Sequence, residues 1–70
     1  ALHKESSYMA SRFIVKAVFN GTSLSVPVSA RTAQLAAAKA AVARQTRAAS
    51  AFLVFDRRTG VVVHAQPNRG

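Results

Sequence analysis

Proton-transfer chemistry needs titratable groups held together within hydrogen-bond reach of a reacting atom, and this chain has few to offer. Its carboxylates are Glu5 and Asp56, and its imidazoles are His3 and His64. His3 and Glu5 fall in an aperiodic N-terminal stretch, Asp56 at the mouth of a hairpin and His64 inside a strand, so no spacing pairs an acid with a base. The same scarcity argues against a metal site or a catalytic triad. There is no Cys, which excludes disulfides, thiolate zinc sites and cysteine nucleophiles. Gly21, Gly60 and Gly70 are too scattered for a phosphate-cradling loop. The expectation is a protein that is not an enzyme and holds no cofactor or metal. Asp56 is expected to cap the Asp-Arg-Arg-Thr-Gly turn with its side chain.

The residues able to act on another molecule are the cations. Ten Lys and Arg stand against two acids, a net charge of +8 on 70 residues. Such an excess attracts nucleic acid first, acidic protein surfaces second and anionic lipid third. The candidates form three groups: Arg12 and Lys16 on the sheet face away from the helix, Arg57 and Arg58 crowning the second hairpin, and Arg44 and Arg47 on the outer side of the helix. Each taken singly is a solubilising surface charge. Their shared sign is the functional signal, because Arg binds phosphate bidentately and a hairpin tip can enter a groove. Aromatic support is thin. Phe13 and Phe19 fit the core, and only one of Phe52 and Phe55 can share a face with the helix; the other is left to stack a base or fill a dimer interface. No RNA-binding aromatic signature and no helix-turn-helix spacing occurs, so base-specific readout is not expected.

These side chains must be positioned by a small set of elements. The longest is a helix expected within residues 28–50, rich in Ala and free of Gly and Pro, with Ser29 as its N-cap. At 100° per residue Leu35, Ala38, Val42, Thr46 and Ala49 fall inward, and Ala37, Ala40, Arg44 and Arg47 outward. An Ala-lined helix lets backbones approach closely, so the buried volume must come from the strands.

Ahead of the helix, FIVKAVF (residues 13–19) and TSLSVPV (residues 22–28) flank Asn20-Gly21, the favoured type I′ pair, and predict a β-hairpin. Phe13, Val15, Ala17 and Phe19 share the helix-facing side with Leu24, Val26 and Val28. Pro27 has no N–H and predicts an edge strand. After the helix, AFLVFD (residues 51–56) and VVVHAQ (residues 61–66) form a second hairpin, with Gly60 in the left-handed position. This hairpin is apolar on both faces, so one face meets the helix and the other needs a cover or a partner.

The run FIVKAVFNGTSLSVPVSARTAQLAAAKAAV resembles the strand, turn, strand and helix layout of small inhibitors of host RNA polymerase made by some podoviruses. The likeness includes the Val-Pro-hydrophobic step and the Ala-x-Thr before the helix. The resemblance implies a protein that clamps onto bacterial RNA polymerase through arginines near the last strands, for which Arg57 and Arg58 are the nearest candidates.

The sequence therefore predicts an α+β domain, β-β-α-β-β, with an antiparallel sheet and one helix on one face. It spans residues 12–67, after a lead-in of residues 1–11 in which Met9 is a possible natural start, and before a tail of residues 68–70. The expected setting is the cytoplasm, with no membrane span. The expected partner is nucleic acid or an acidic protein surface such as bacterial RNA polymerase, and a homodimer sharing core is an open possibility at this size.

Overall fold

The computed structural model describes residues 12–68. Expectations for the lead-in at residues 1–11 and for the last two residues of the tail lie outside the described residues.

Strand β1, Phe13–Phe19, pairs antiparallel with β2, Thr22–Val28, in the register Phe13↔Val28 to Phe19↔Thr22. The hairpin is as expected, but its turn is not type I′. Gly21 has φ of +88°, while Asn20 keeps a negative φ, the pattern of a type II turn, which needs a left-handed residue only at its third position. Strands β3, Ala51–Asp56, and β4, Val62–Pro67, form the second hairpin, and β3 pairs antiparallel with β1. The resulting four-stranded sheet has the order β2-β1-β3-β4, and helix α1, Ala33–Val42, lies on one side of it. This is the expected ββαββ architecture.

The helix is shorter than its composition suggests. A helix over residues 28–50 would run about 34 Å, whereas the seven residues of β1 span about 23 Å. The chain stops at Val42 and puts Ala43 in an extended conformation, φ −72° and ψ 141°. Inside the core, Thr46 Oγ1 donates to Ala40 O at 2.5 Å, so a side chain takes over a carbonyl that the next helical turn would have used. Ala43 O then accepts from Thr46 and Arg47 N–H, and the irregular return brings Ser50 N–H onto Val18 O at 2.7 Å. The N-terminus also differs. Thr32, not Ser29, is the N-cap, its side chain accepting from Leu35 N–H at 3.1 Å. Ser29 contributes its carbonyl instead, to Lys39 Nζ at 2.6 Å.

The expected inward face of the helix is its outward face. Ala36, Ala37 and Ala40 are buried, while Leu35 is 48% and Val42 77% exposed. Ala presents the same methyl on every side of the helix, so only Leu35 and Val42 gave the pattern a phase, and packing chose the side with the smallest groups. Thr46 and Ala49 are buried as expected, although they lie beyond the helix. Against the alanines pack Phe13, Val15 and Ala17 of β1 and Phe52 and Val54 of β3, so the two central strands supply the volume. Phe52, Val15 and Val54 are the largest fully buried apolar side chains. Leu24, expected on the helix-facing side, is exposed, as are Val61, Val62 and Val63 of the apolar second hairpin.

Both edges carry a proline at an outward position. Arg12 O and Val18 O accept from Arg57 and Ser50 N–H, so even-numbered residues of β1 turn their backbone groups toward β3. Ile14↔Pro27 is then a non-hydrogen-bonded pair of the β1–β2 ladder, and the missing N–H of Pro27 falls on the solvent edge. On the other side Asn68 N–H donates to Ser50 O at 2.8 Å, which turns the intervening Pro67 outward in the same way. Each edge is thereby short of one donor for strand addition.

Two tests follow from this architecture. Thr32→Ala should destabilise the domain by about 1 kcal/mol and Ser29→Ala by only a few tenths, compared by urea unfolding; the reverse order would return the cap to Ser29. Replacing Pro27 and Pro67 together by Ala restores a donor to each edge. The double variant should show a larger apparent mass than the parent by light scattering at matched concentration, and an unchanged mass would mean the prolines do not protect the edges.

Candidate functional site

The side of the sheet opposite the helix has no element of the described residues laid over it. Strand alternation and the strand register place on it Ile14, Lys16 and Val18 of β1, Ala51, Leu53 and Phe55 of β3, Ser23 and Ser25 of β2 and Ala65 of β4. A register shift between Val54 and Phe55 sets Val62 directly opposite Phe55, which adds another exposed apolar group to this face. Ile14, Lys16, Val18, Leu53 and Phe55 are half-buried. Of the two aromatic residues of β3, Phe52 is in the core and Phe55 is on the open face.

Three of the six expected cationic residues meet at one end of this face. The backbone N–H of Arg57 donates to Arg12 O at 3.0 Å, so the β3–β4 turn sits beside the start of β1 and brings Arg57 and Arg58 next to Arg12. Within that turn Asp56 Oδ1 accepts from Arg58 N–H at 2.8 Å and Thr59 N–H at 3.4 Å. Gly60 N–H donates to Asp56 O at 2.7 Å, with Gly60 at φ +74°, and Val61 N–H donates to Thr59 Oγ1 at 3.2 Å. Asp56 therefore builds the turn that displays the arginines, as its position suggested. The Arg12 guanidinium carbon lies 5.7 Å from the centroid of the Phe13 ring, a cation–π distance. Lys16 stands in the middle of the same face, four residues after Arg12.

Arg44 and Arg47 are not part of this group. Both are exposed in the segment after α1 rather than on the helix. Arg44 lines an open groove of about 420 Å³ between β2 and the end of the helix, together with Val26, Val28, Lys39 and Ala43. Lys39 donates across to Ser29 O there, so its ammonium is engaged by the fold. Arg47 lends its carbonyl to Asn68 Nδ2, which also donates to Ala49 O, both at 2.8 Å. Asn68, expected in the tail, thus ties the end of β4 to the segment before β3. Sequence reasoning passed over Arg31, exposed in the link between β2 and α1 at the arginine-bearing end of the sheet, because nothing local distinguishes it from any other surface Arg.

Among the described residues eight Lys and Arg face one carboxylate, Asp56, and no three His, Cys, Asp or Glu come together. His64 Nε2 lies 2.7 Å from Gln66 Oε1 on its own strand. No helix of the described residues is long and apolar enough to cross a membrane. The site is thus a half-apolar sheet face with Lys16 at its centre and arginines at one end. Compared with known protein families, with characterised proteins and with solved structures, the chain matches none.

Asp56→Ala should loosen the turn and lower stability by about 1 kcal/mol, as expected for a lost side-chain to backbone hydrogen bond, while Asp56→Asn should retain most of it. Thermal unfolding of the two variants side by side distinguishes the turn-building role from a purely electrostatic one, for which both would behave alike.

Proposed function

We propose that this chain is a non-enzymatic binding module for nucleic acid that acts in the cytoplasm mainly through electrostatic contacts. The observation that carries the reading is the gathering of Arg12, Arg57 and Arg58 at one end of an uncovered sheet face with Lys16 at its centre, on a chain of net charge +8. Fixed arginines on a hydrogen-bonded turn meet phosphates with little loss of backbone freedom, and guanidinium groups recognise phosphate by paired hydrogen bonds. The lack of cysteine suits a reducing compartment. Arg44 and Arg47, on the helix side, are secondary contacts in this reading.

A second reading is favoured by the apolar part of the same face. Ile14, Val18, Leu53 and Phe55 offer more hydrophobic area than a phosphate backbone uses, and an acidic protein surface such as that of bacterial RNA polymerase would use it. This is also what the resemblance of residues 13–42 implies.

Counterion release supplies the test. If Arg12, Lys16, Arg57 and Arg58 each neutralise a phosphate, log K should fall against log salt with a slope of about −3, so that affinity drops roughly 50- to 150-fold between 50 and 200 mM salt. Arg57→Ala with Arg58→Ala should weaken binding to unrelated sequences alike and flatten the slope by about 1.5. A salt-insensitive affinity, or no binding at low salt, overturns the proposal. Binding of a purified acidic partner in the presence of nuclease would favour the second reading.

A further inference from the structure

Resting on the nucleic-acid reading above, we propose that the open face of the sheet is a platform for single strands, on which one base stacks on Phe55 while Arg12 and Lys16 hold the phosphates on either side of it. Ile14 is the residue directly opposite Phe55 on β1. Arg12 and Lys16, two positions before and after Ile14, are therefore the two diagonal neighbours of Phe55 on the same face. Diagonal same-face positions lie about 7–8 Å apart, within reach of a long side chain, and Arg12 and Lys16 are separated along β1 by about 13 Å. By register Phe55 thus has a basic residue at each diagonal position, with Arg57 following Phe55 toward the same end. The Arg12 guanidinium rests over the Phe13 ring, and in this proposal it swings from there to the phosphate.

This arrangement discriminates between occupants. Duplex DNA offers phosphates but keeps its bases stacked inside, so it has nothing to lay on Phe55, Leu53 and Val62. A second copy of the chain would set Lys16 against Lys16 in a desolvated centre while bringing together two chains of +8, each costly. Protein interfaces in general deplete charge at their core and keep it on the rim, the reverse of a lysine at the centre of an apolar patch. A single strand alone offers flat apolar faces and regularly spaced negative charge together. Pro27 and Pro67, turned outward on the two edges, further direct a partner to the face rather than to strand addition.

The test is fluorescence anisotropy of the whole chain with a labelled 12-nucleotide mixed-sequence single strand, as DNA and as RNA, and with the matching duplex. The single strands should bind about tenfold or more tightly than the duplex at equal salt. Phe55→Leu, which keeps an apolar side chain but removes the ring, should weaken single-strand binding by about 5- to 50-fold, the range expected for one stacked base. It should leave duplex affinity and the salt slope unchanged, and Phe55→Tyr should bind like the parent. As a measurement on the unaltered protein, photocrosslinking of a strand containing 5-iodouridine should map by mass spectrometry to Phe55. Equal binding of duplex and single strand, a Phe55→Leu variant that binds as the parent does, or a crosslink mapping elsewhere overturns the platform while leaving the electrostatic reading intact. Absence of binding to every nucleic acid at low salt overturns both.

Discussion

A strand turns alternate side chains to opposite faces, and the described residues include one short helix with which to cover them. That constraint organises the rest of the molecule. Phe13, Val15, Ala17, Phe52 and Val54 take the covered side, and every apolar residue at the intervening positions of β1 and β3 is left on the other. Ile14, Val18, Leu53 and Phe55 are half-buried there. A face of this kind is retained in a small basic protein at a cost in solubility, which is the physical ground for reading it as a contact surface.

The covered side works because the helix contributes almost no volume. With Ala36, Ala37 and Ala40 toward the sheet, the helix backbone settles close to β1 and β3, and Phe52 fills the space that a Leu on the helix would have claimed. Thr46 closes the far end by bonding Ala40 O, so the last turn of the helix is satisfied without being continued. The chain can then reach Val18 and begin β3 in register. Burial of a hydroxyl is tolerable there because its donor is used.

The outer face has a different electrostatic character from the core it backs onto. Asp56, the one carboxylate of the described residues, spends its oxygen on backbone N–H groups of the turn, and the turn it shapes is the one that carries Arg57 and Arg58. The acid thus organises the positive end through its backbone. Lys16 extends the positive field into the apolar centre. Any partner must then satisfy hydrophobic and cationic groups on one surface, a more selective demand than net charge alone.

The strands were legible in the sequence because their information is local. Residues 13–19, 22–28 and 51–56 alternate or cluster β-formers between turn residues, and each is a strand over those limits. The role of Pro27 and of Asp56, and the left-handed Gly60, follow equally from the chemistry of single residues. The helix was legible as a helix, but neither its length nor its facing side was. Ala carries no direction, so the phase borrowed from Leu35 and Val42 had no energetic weight against close packing, and the end of the helix was decided by the distance the sheet allows. Arg12 and Arg57 are far apart in the chain, and only the β1–β3 pairing brings them together. The composition determined that this protein is positively charged and has no cysteine. Where that charge gathers, and that Phe55 has a basic residue at each diagonal position on an open face, depend on which strands become neighbours, and that is a long-range choice no local pattern encodes.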